Sequence, residues 1–188
     1  MTATAIVPIV GGGPAGMSCA LWLKNYGLHP VLIERKSQLG VMQRQSPYPD
    51  FSQLGRRGAT GRKNAEAFTQ HIEAEKIEIV RGATPRQARR RPDGTFALDI
   101  AVAGEAPRTI HAFALVIATG TDFRSADWLD AVANARALVE AGRILIGPGA
   151  AGEPDADLGA RVLVVGCGDN AFDVTHHLFQ ISKTVSYT

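Results

Sequence analysis

The chain has 188 residues, 45% of them hydrophobic, with a formal net charge of +2 and two cysteines, Cys19 and Cys167. That length can bury one good core, the charge is too small to argue for nucleic acid, and two cysteines exclude a disulfide-stapled scaffold. No apolar run approaches the roughly 20 residues a bilayer span needs, and MTATAIVP lacks a basic n-region, so a soluble cytoplasmic chain without a signal peptide is expected.

The first expected element is a strand, AIVPIV, running into GGGPAG at residues 11–16. A parallel strand ending in Gly-x-Gly-x-x-Gly uses its first glycine for a tight turn. The second admits a pyrophosphate close to the backbone, and the third lets the helix lie against the sheet. Here these are Gly11, Gly13 and Gly16. Pro14 suits the opening turn of the helix, and Pro14 and Ala15 offer their backbone beside phosphates held at a helix N-terminus. Gly13, Gly16, Ala20 and Leu23 share one helical face, and Cys19 reads as a small packing residue. Pro8 runs against the pattern, because a proline in a central strand cannot donate to the ladder. Either a bulge absorbs it, or the sheet is weaker than it looks.

The helix should reach about Tyr26 and stop at Gly27, and a strand over residues 30–33 should then deliver Glu34, 23 positions past Gly11. A carboxylate there accepts the hydroxyl protons of an adenosine ribose and repels a 2′-phosphate. The first loop therefore reads as a site for FAD or NAD and not NADP.

Residues 40–58 have turn chemistry and little periodicity, which suggests a loop over the cofactor. Residues 60–75 form an amphipathic pattern with Ala65, Phe68, Ile72 and Ala74 inward, and a strand follows at 77–80. Phe96, Leu98, Ile100 and Val102 alternate along a strand, residues 104–107 turn, 109–112 return, and 113–118 make a continuous apolar strand. This predicts an α/β, Rossmann-like sheet whose later crossover is a β-meander. The basic run RQARRR precedes a PDG turn without interleaved aromatics and reads as a solvated hairpin.

A second fingerprint, GCGDNA at residues 166–171, follows the strand RVLVV. Gly166, Gly168 and Asn170 are its candidate nucleotide contacts. Cys167 matters there through its backbone, and Asp169 is expected to cap the helix N-terminus. A short strand over 184–187 closes the segment. His176 and His177 are adjacent on the helix and lack the i, i+4 spacing of a metal pair, and the chain holds no Walker-type loop and no zinc-spaced Cys/His set.

GGGPAG with Glu34 and Arg35, the loop near Gly40, FALVIATG ending at Gly120, Arg124, and VVGCGDNAFD together resemble the thioredoxin-reductase-like FAD and NAD(P)H-dependent oxidoreductases, class II-like pyridine nucleotide-disulfide oxidoreductases. The resemblance implies an FAD-binding domain over residues 1–121, with Gly120 near the nucleotide, and an NAD(P)-binding domain beginning at 122. NAD(P)H would pass hydride to FAD, and the flavin would pass electrons to a further acceptor.

Three departures qualify it. IGPGAAGEPDADLG stands where thioredoxin reductases carry Cys-x-x-Cys, so an active disulfide is not expected. The disulfide-free relatives, ferredoxin-NADP reductases among them, imply a protein carrier as acceptor. No segment returns to the FAD domain, so a C-terminally truncated chain with an incomplete second Rossmann-like domain is expected. The ribose-reading position of the second unit falls one residue beyond Thr188, which leaves NADH and NADPH undistinguished. Two further classes remain open: a module that binds FAD or NAD without turnover, and an interaction protein offering an exposed sheet edge to a partner or to a second copy. No catalytic acid, base, nucleophile or metal is expected.

Overall fold

The computed structural model describes residues 5–51, 53–121, 126–147, 149, 158–166, 168–181 and 183–187. In chain order it contains β1 (Ile6–Val10), α1 (Pro14–Asn25), β2 (His29–Glu34), α2 (Val41–Arg44), β3 (Pro49–Asp50), β4 (Ala59–Thr60), α3 (Gly61–Ala74) and β5 (Glu78–Arg81). Then follow β6 (Ala83–Arg90), β7 (Phe96–Val102), β8 (Arg108–Ala112), β9 (Val116–Ile117), a 3-10 helix (Ala126–Ala131), α4 (Ala135–Glu140), β10 (Arg161–Val164), α5 (Asp169–Gln180) and β11 (Thr184–Tyr187). Packing divides the chain into two units, Met1–Arg44 with Lys63–Thr121, and Gln45–Arg62 with Asp122–Thr188.

The first unit is built on a parallel sheet in the order β5-β2-β1-β9. Side chains alternate across it with a period of two, and both faces are covered, so the central strands read as unbroken apolar runs. Ile9 and Leu32 point to the face where Met17 and Ala20 of α1 and Ile72 of α3 pack. Val10, Val31, Ile33 and Val80 point to the other face, where Leu98 and Ile100 of the antiparallel sheet β6-β7-β8 cover them. Each such fully buried aliphatic side chain contributes about 1.5–3 kcal/mol. The three-stranded meander therefore occupies the place of a crossover helix, and the fold is α/β and Rossmann-like.

Pro8 causes neither a bulge nor a gap. The β1–β2 register runs unbroken from Ile6↔His29 to Val10↔Ile33. The amides of Phe113 and Ala118 donate to the carbonyls of Ile6 and Val10, so the even-numbered groups of β1 face the β9 side. On that side the ladder begins only at Ile9↔Val116, and the donor that Pro8 lacks falls where β9 has not yet started.

α1 stops as its sequence requires. The Leu28 amide donates to the Leu23 carbonyl at 3.0 Å and the Gly27 amide to the Lys24 carbonyl at 2.8 Å, with Gly27 left-handed at φ 77°. This is the paired C-terminal arrangement that favours glycine.

Four expectations are corrected. Residues 40–58 are not a bare loop: they contain α2 and lead into a ribbon pairing Pro49 with Thr60 and Asp50 with Ala59, and from Gln45 on they pack with the second unit. Ala74 ends α3 exposed, because the helix's buried stripe has already turned past it at Ile72. The strand over 113–118 shortens to Val116–Ile117, which pair with Ile9 and Val10, and Phe113 is left exposed. Asp169 is the first residue of α5; the N-cap is Gly168, and no side chain caps that helix.

In the second unit, β10 and β11 pair in parallel from Arg161↔Thr184 to Val164↔Tyr187, with α5 as the crossover between them. Val164 and Leu178 are buried, while Leu163 and Val165 on the opposite face are 61% and 68% exposed. Tyr48 is also buried in this unit, its ring 5.4 Å from that of His177. Burial first, and the negative charge of Asp173 second, push its phenol up to about 12. No helix among the described residues is long and apolar enough to cross a membrane.

Candidate nucleotide-binding loops

The turn after β1 is dense with backbone, which explains its glycines. Gly11 has φ 115°, and a Cβ there would lie 2.2 Å from the Ala118 carbonyl oxygen, so the end of β9 walls the turn. A Cβ on Gly16 would lie 1.9 Å from the Gly11 carbonyl oxygen, which is how closely α1 approaches the turn. Gly13 is the exception: a Cβ there meets nothing within 4 Å. It caps α1 in an extended conformation, its carbonyl accepts the Met17 amide at 2.9 Å, and no side chain caps the helix. Pro14 and Ala15 open the helix, exposed. The loop is thus closed on the sheet side and open at the helix N-terminus, the geometry that receives an anion.

Glu34 reaches this loop from the end of β2. Its Oε2 accepts the Gly12 amide at 2.9 Å and its Oε1 accepts the Lys36 amide at 2.8 Å. Two backbone donors hold the carboxylate half-buried beside the helix N-terminus, and each oxygen keeps a lone pair for a further donor. Gly120, left-handed at φ 63°, stands two residues past the carbonyl that walls Gly11.

Sequence reasoning missed the support behind this loop. Gly12 fits no position of the three-glycine motif, yet a Cβ on it would lie 2.5 Å from Leu39 Cδ2 and 3.0 Å from Glu34 Oε2. Its carbonyl accepts the Gly40 amide at 2.8 Å. The third consecutive glycine, one more than the motif needs at that turn, was the available signal. Leu39 is fully buried and Arg44 behind it half-buried, and neither belongs to a motif.

The second loop repeats the plan. Gly166 has φ 139° and Gly168 is extended as the N-cap, again with nothing within 4 Å of a Cβ. The Gly168 carbonyl accepts the Ala171 amide at 2.9 Å and the Phe172 amide at 3.3 Å. Asp169 brings a negative charge to the first turn, and Asn170 follows it, exposed. The third glycine position is Ala171, whose Cβ lies 3.6 Å from the position of a Cβ on Gly166, an ordinary van der Waals contact. Cys167 and Arg124 lie outside the described residues. Gly11, Gly13, Pro14, Ala15, Gly16, Glu34 and Gly120 therefore gather in the first unit, and Gly166, Gly168 and Asn170 in the second.

The family described as pyridine nucleotide-disulphide oxidoreductase matches residues 6–187. A ferredoxin–NADP reductase of Limosilactobacillus reuteri is 28% identical over 183 residues, covering 95% of this chain and 52% of the reductase. One of Limosilactobacillus fermentum is 32% identical over 117 residues, covering 61% of this chain and 34% of the reductase. Thioredoxin reductase of Lactococcus lactis shares the fold at TM-score 0.68 and 18% identity, over 98% of this chain and 55% of the reductase. The chain spans about half or less of the length of these relatives. It belongs to the pyridine nucleotide-disulphide oxidoreductase family, whose members use FAD and NAD(P)H.

Proposed function

We propose that residues 1–121 bind FAD and that residues 122–188 begin an NAD(P)H-binding domain of a cytoplasmic flavin-dependent oxidoreductase. The observation that carries this reading is the Glu34 carboxylate, hydrogen-bonded to the Gly12 amide inside the first glycine loop. It supports a ribose-reading acid directly beside a diphosphate site.

The residues fit such a cofactor. The space at Gly13 and the uncapped N-terminus of α1 suit the pyrophosphate, with Gly11 and Gly16 allowing the close packing around it and Pro14 and Ala15 alongside. Glu34 accepts the ribose hydroxyl protons on its remaining lone pairs, and Gly120 borders the nucleotide. Gly166, Gly168 and Asn170 serve the pyridine nucleotide in the same way. Bound flavin supplies the hydride-accepting ring; the chain's part is to bind, orient and exclude water, and no side chain is assigned as acid, base or nucleophile. The ferredoxin–NADP reductase relatives support a ferredoxin-like protein as the electron acceptor. With two cysteines at positions 19 and 167, the chain carries no Cys-x-x-Cys for disulfide exchange.

One observation favours a second reading. The exposed Leu163 and Val165 leave one face of the β10–β11 sheet uncovered, which suits a module that holds nucleotide without turnover, or a sheet that takes up a partner chain or a second copy. A visible absorption spectrum of the purified chain tests both readings, taken after loading with FAD and desalting, and again after anaerobic NADPH or NADH. Retained flavin that bleaches supports the oxidoreductase. Retained flavin that does not bleach supports the binding module, and a colourless protein refutes the cofactor assignment.

A further inference from the structure

We propose that Arg44 is a positioning residue for the first glycine loop: it locks the Leu39–Gly40 turn against Gly12 and so sets the loop's affinity for a dinucleotide diphosphate. The proposal rests on the reading of that loop as an FAD site.

The chain of contacts starts at the loop. The Gly12 carbonyl accepts the Gly40 amide at 2.8 Å, and Leu39, fully buried, lies where a Gly12 side chain would be. Gly40 is left-handed at φ 66°, and a Cβ on it would stand 3.1 Å from Ala65 Cβ, so the turn is wedged between the loop and α3. Wedging alone does not fix its other side. Arg44 does: Nε donates to the Leu39 carbonyl at 2.8 Å, and Nη2 donates to Thr69 Oγ1 on α3 at 3.2 Å. Nη1 lies 3.8 Å from Glu66 Oε1, also on α3. The Arg44 amide closes the circuit by donating to the Gly40 carbonyl at 2.9 Å.

One planar guanidinium therefore bridges the turn and the helix behind it. A lysine cannot reproduce this, because a single ammonium cannot hold both acceptors in the fixed fork geometry. The side chain's exposure is only 20%, so water offers little substitute for the lost bonds.

The test is FAD titration, by quenching of flavin fluorescence, of the wild-type chain and its variants, alongside amide exchange at Gly40. Arg44→Ala should weaken FAD binding about tenfold or more and accelerate Gly40 exchange, while the amides of β1 and β2 keep their protection. Arg44→Lys should recover less than half of the loss on a logarithmic scale. Millimolar guanidinium, below denaturing concentrations, should restore Arg44→Ala but leave the wild type unchanged. Thr69→Val removes one acceptor and serves where Arg44→Ala does not fold, with a smaller loss in the same direction. Arg86→Ala, on the exposed meander, should change neither reading.

Unchanged FAD affinity in Arg44→Ala, full recovery in Arg44→Lys, or unaltered Gly40 exchange would each overturn the proposal. A wild-type chain that takes no FAD refutes the cofactor reading instead. Exchange at Gly40 then decides the lock by itself, and unchanged protection in Arg44→Ala rejects it.

Discussion

The Glu34 carboxylate and the Gly12 amide are joined by a 2.9 Å hydrogen bond across 22 positions of sequence, tying the end of β2 to the turn that follows β1. Lys36 donates to the other oxygen. Glu34→Gln keeps the shape but offers one acceptor oxygen where two amides point, so the variant should lose about 1–2 kcal/mol of folding stability in urea denaturation. Glu34→Arg sets a cation against the ribose diol and should weaken FAD binding by about 1–3 kcal/mol in titration. Unchanged affinity would remove Glu34 from the site.

The glycines of the first loop should separate into two kinds. Gly16→Ala places a methyl 1.9 Å from the Gly11 carbonyl oxygen, a backbone atom that cannot swing aside, with Ile9 Cγ2 3.4 Å away. A loss of about 2–4 kcal/mol is expected by chemical denaturation. Gly13→Ala puts its methyl into open space at an ordinary extended φ of −79°, so folding should be nearly unaffected. That methyl takes the room proposed for the pyrophosphate, and FAD affinity should fall by an order of magnitude or more. Equal stability losses in the two variants would contradict the geometry.

Gln43 Oε1, beside Arg44 on α2, is buried without a hydrogen-bond partner. A buried acceptor left unsatisfied costs about 1–3 kcal/mol, so Gln43→Leu should raise the melting temperature of the flavin-free chain. If the same variant also binds FAD more weakly, the orphaned oxygen is a cofactor contact; if affinity is unchanged, it is a local defect. A lowered melting temperature would contradict both.

Tyr48 gives a pH signature. Its folded pKa of about 12 exceeds the ordinary 10.0, so between these values the unfolded chain has lost a proton that the folded chain keeps. The stability contributed by the neutral phenol is fully present below pH 10 and is lost as pH rises toward 12. Denaturation measured across that window should show a decline that Tyr48→Phe removes. An identical pH profile in the two proteins would show that the ring is not held as described.

The parts of the fold that depend on local chemistry were legible in the sequence. Gly27 ended α1 because only a left-handed residue completes that cap, and Glu34 followed from strand length and the count from Gly11. What failed depended on neighbours. Whether Pro8 harms β1 turns on which side its missing donor faces and on where β9 begins, and neither is written near residue 8. Ala74 is apolar, but it lies two residues past Ile72, about 200° around the helix, and so faces away from the core. Asp169 has a capping side chain, yet the backbone placed the cap one residue earlier, at Gly168. The backing of the first loop escaped for the same reason: a carbonyl such as that of Ala118 or Leu39 has no side-chain signature, and its place is set by tertiary packing. The grouping of Tyr48 with His177 joins segments well over a hundred residues apart and left no trace in either.

The wall that Ala118 builds over Gly11 also sets an order of events during synthesis. β1, α1 and β2 are contiguous and can associate as soon as they emerge, whereas Val116, the partner of Ile9, is made on the order of a hundred residues later. Until then the turn at Gly11 has its helix and its acid but lacks one side. The nascent chain therefore carries an open glycine loop until Ala118 has emerged, and the turn gains its last wall only when the ribosome has moved well beyond that residue.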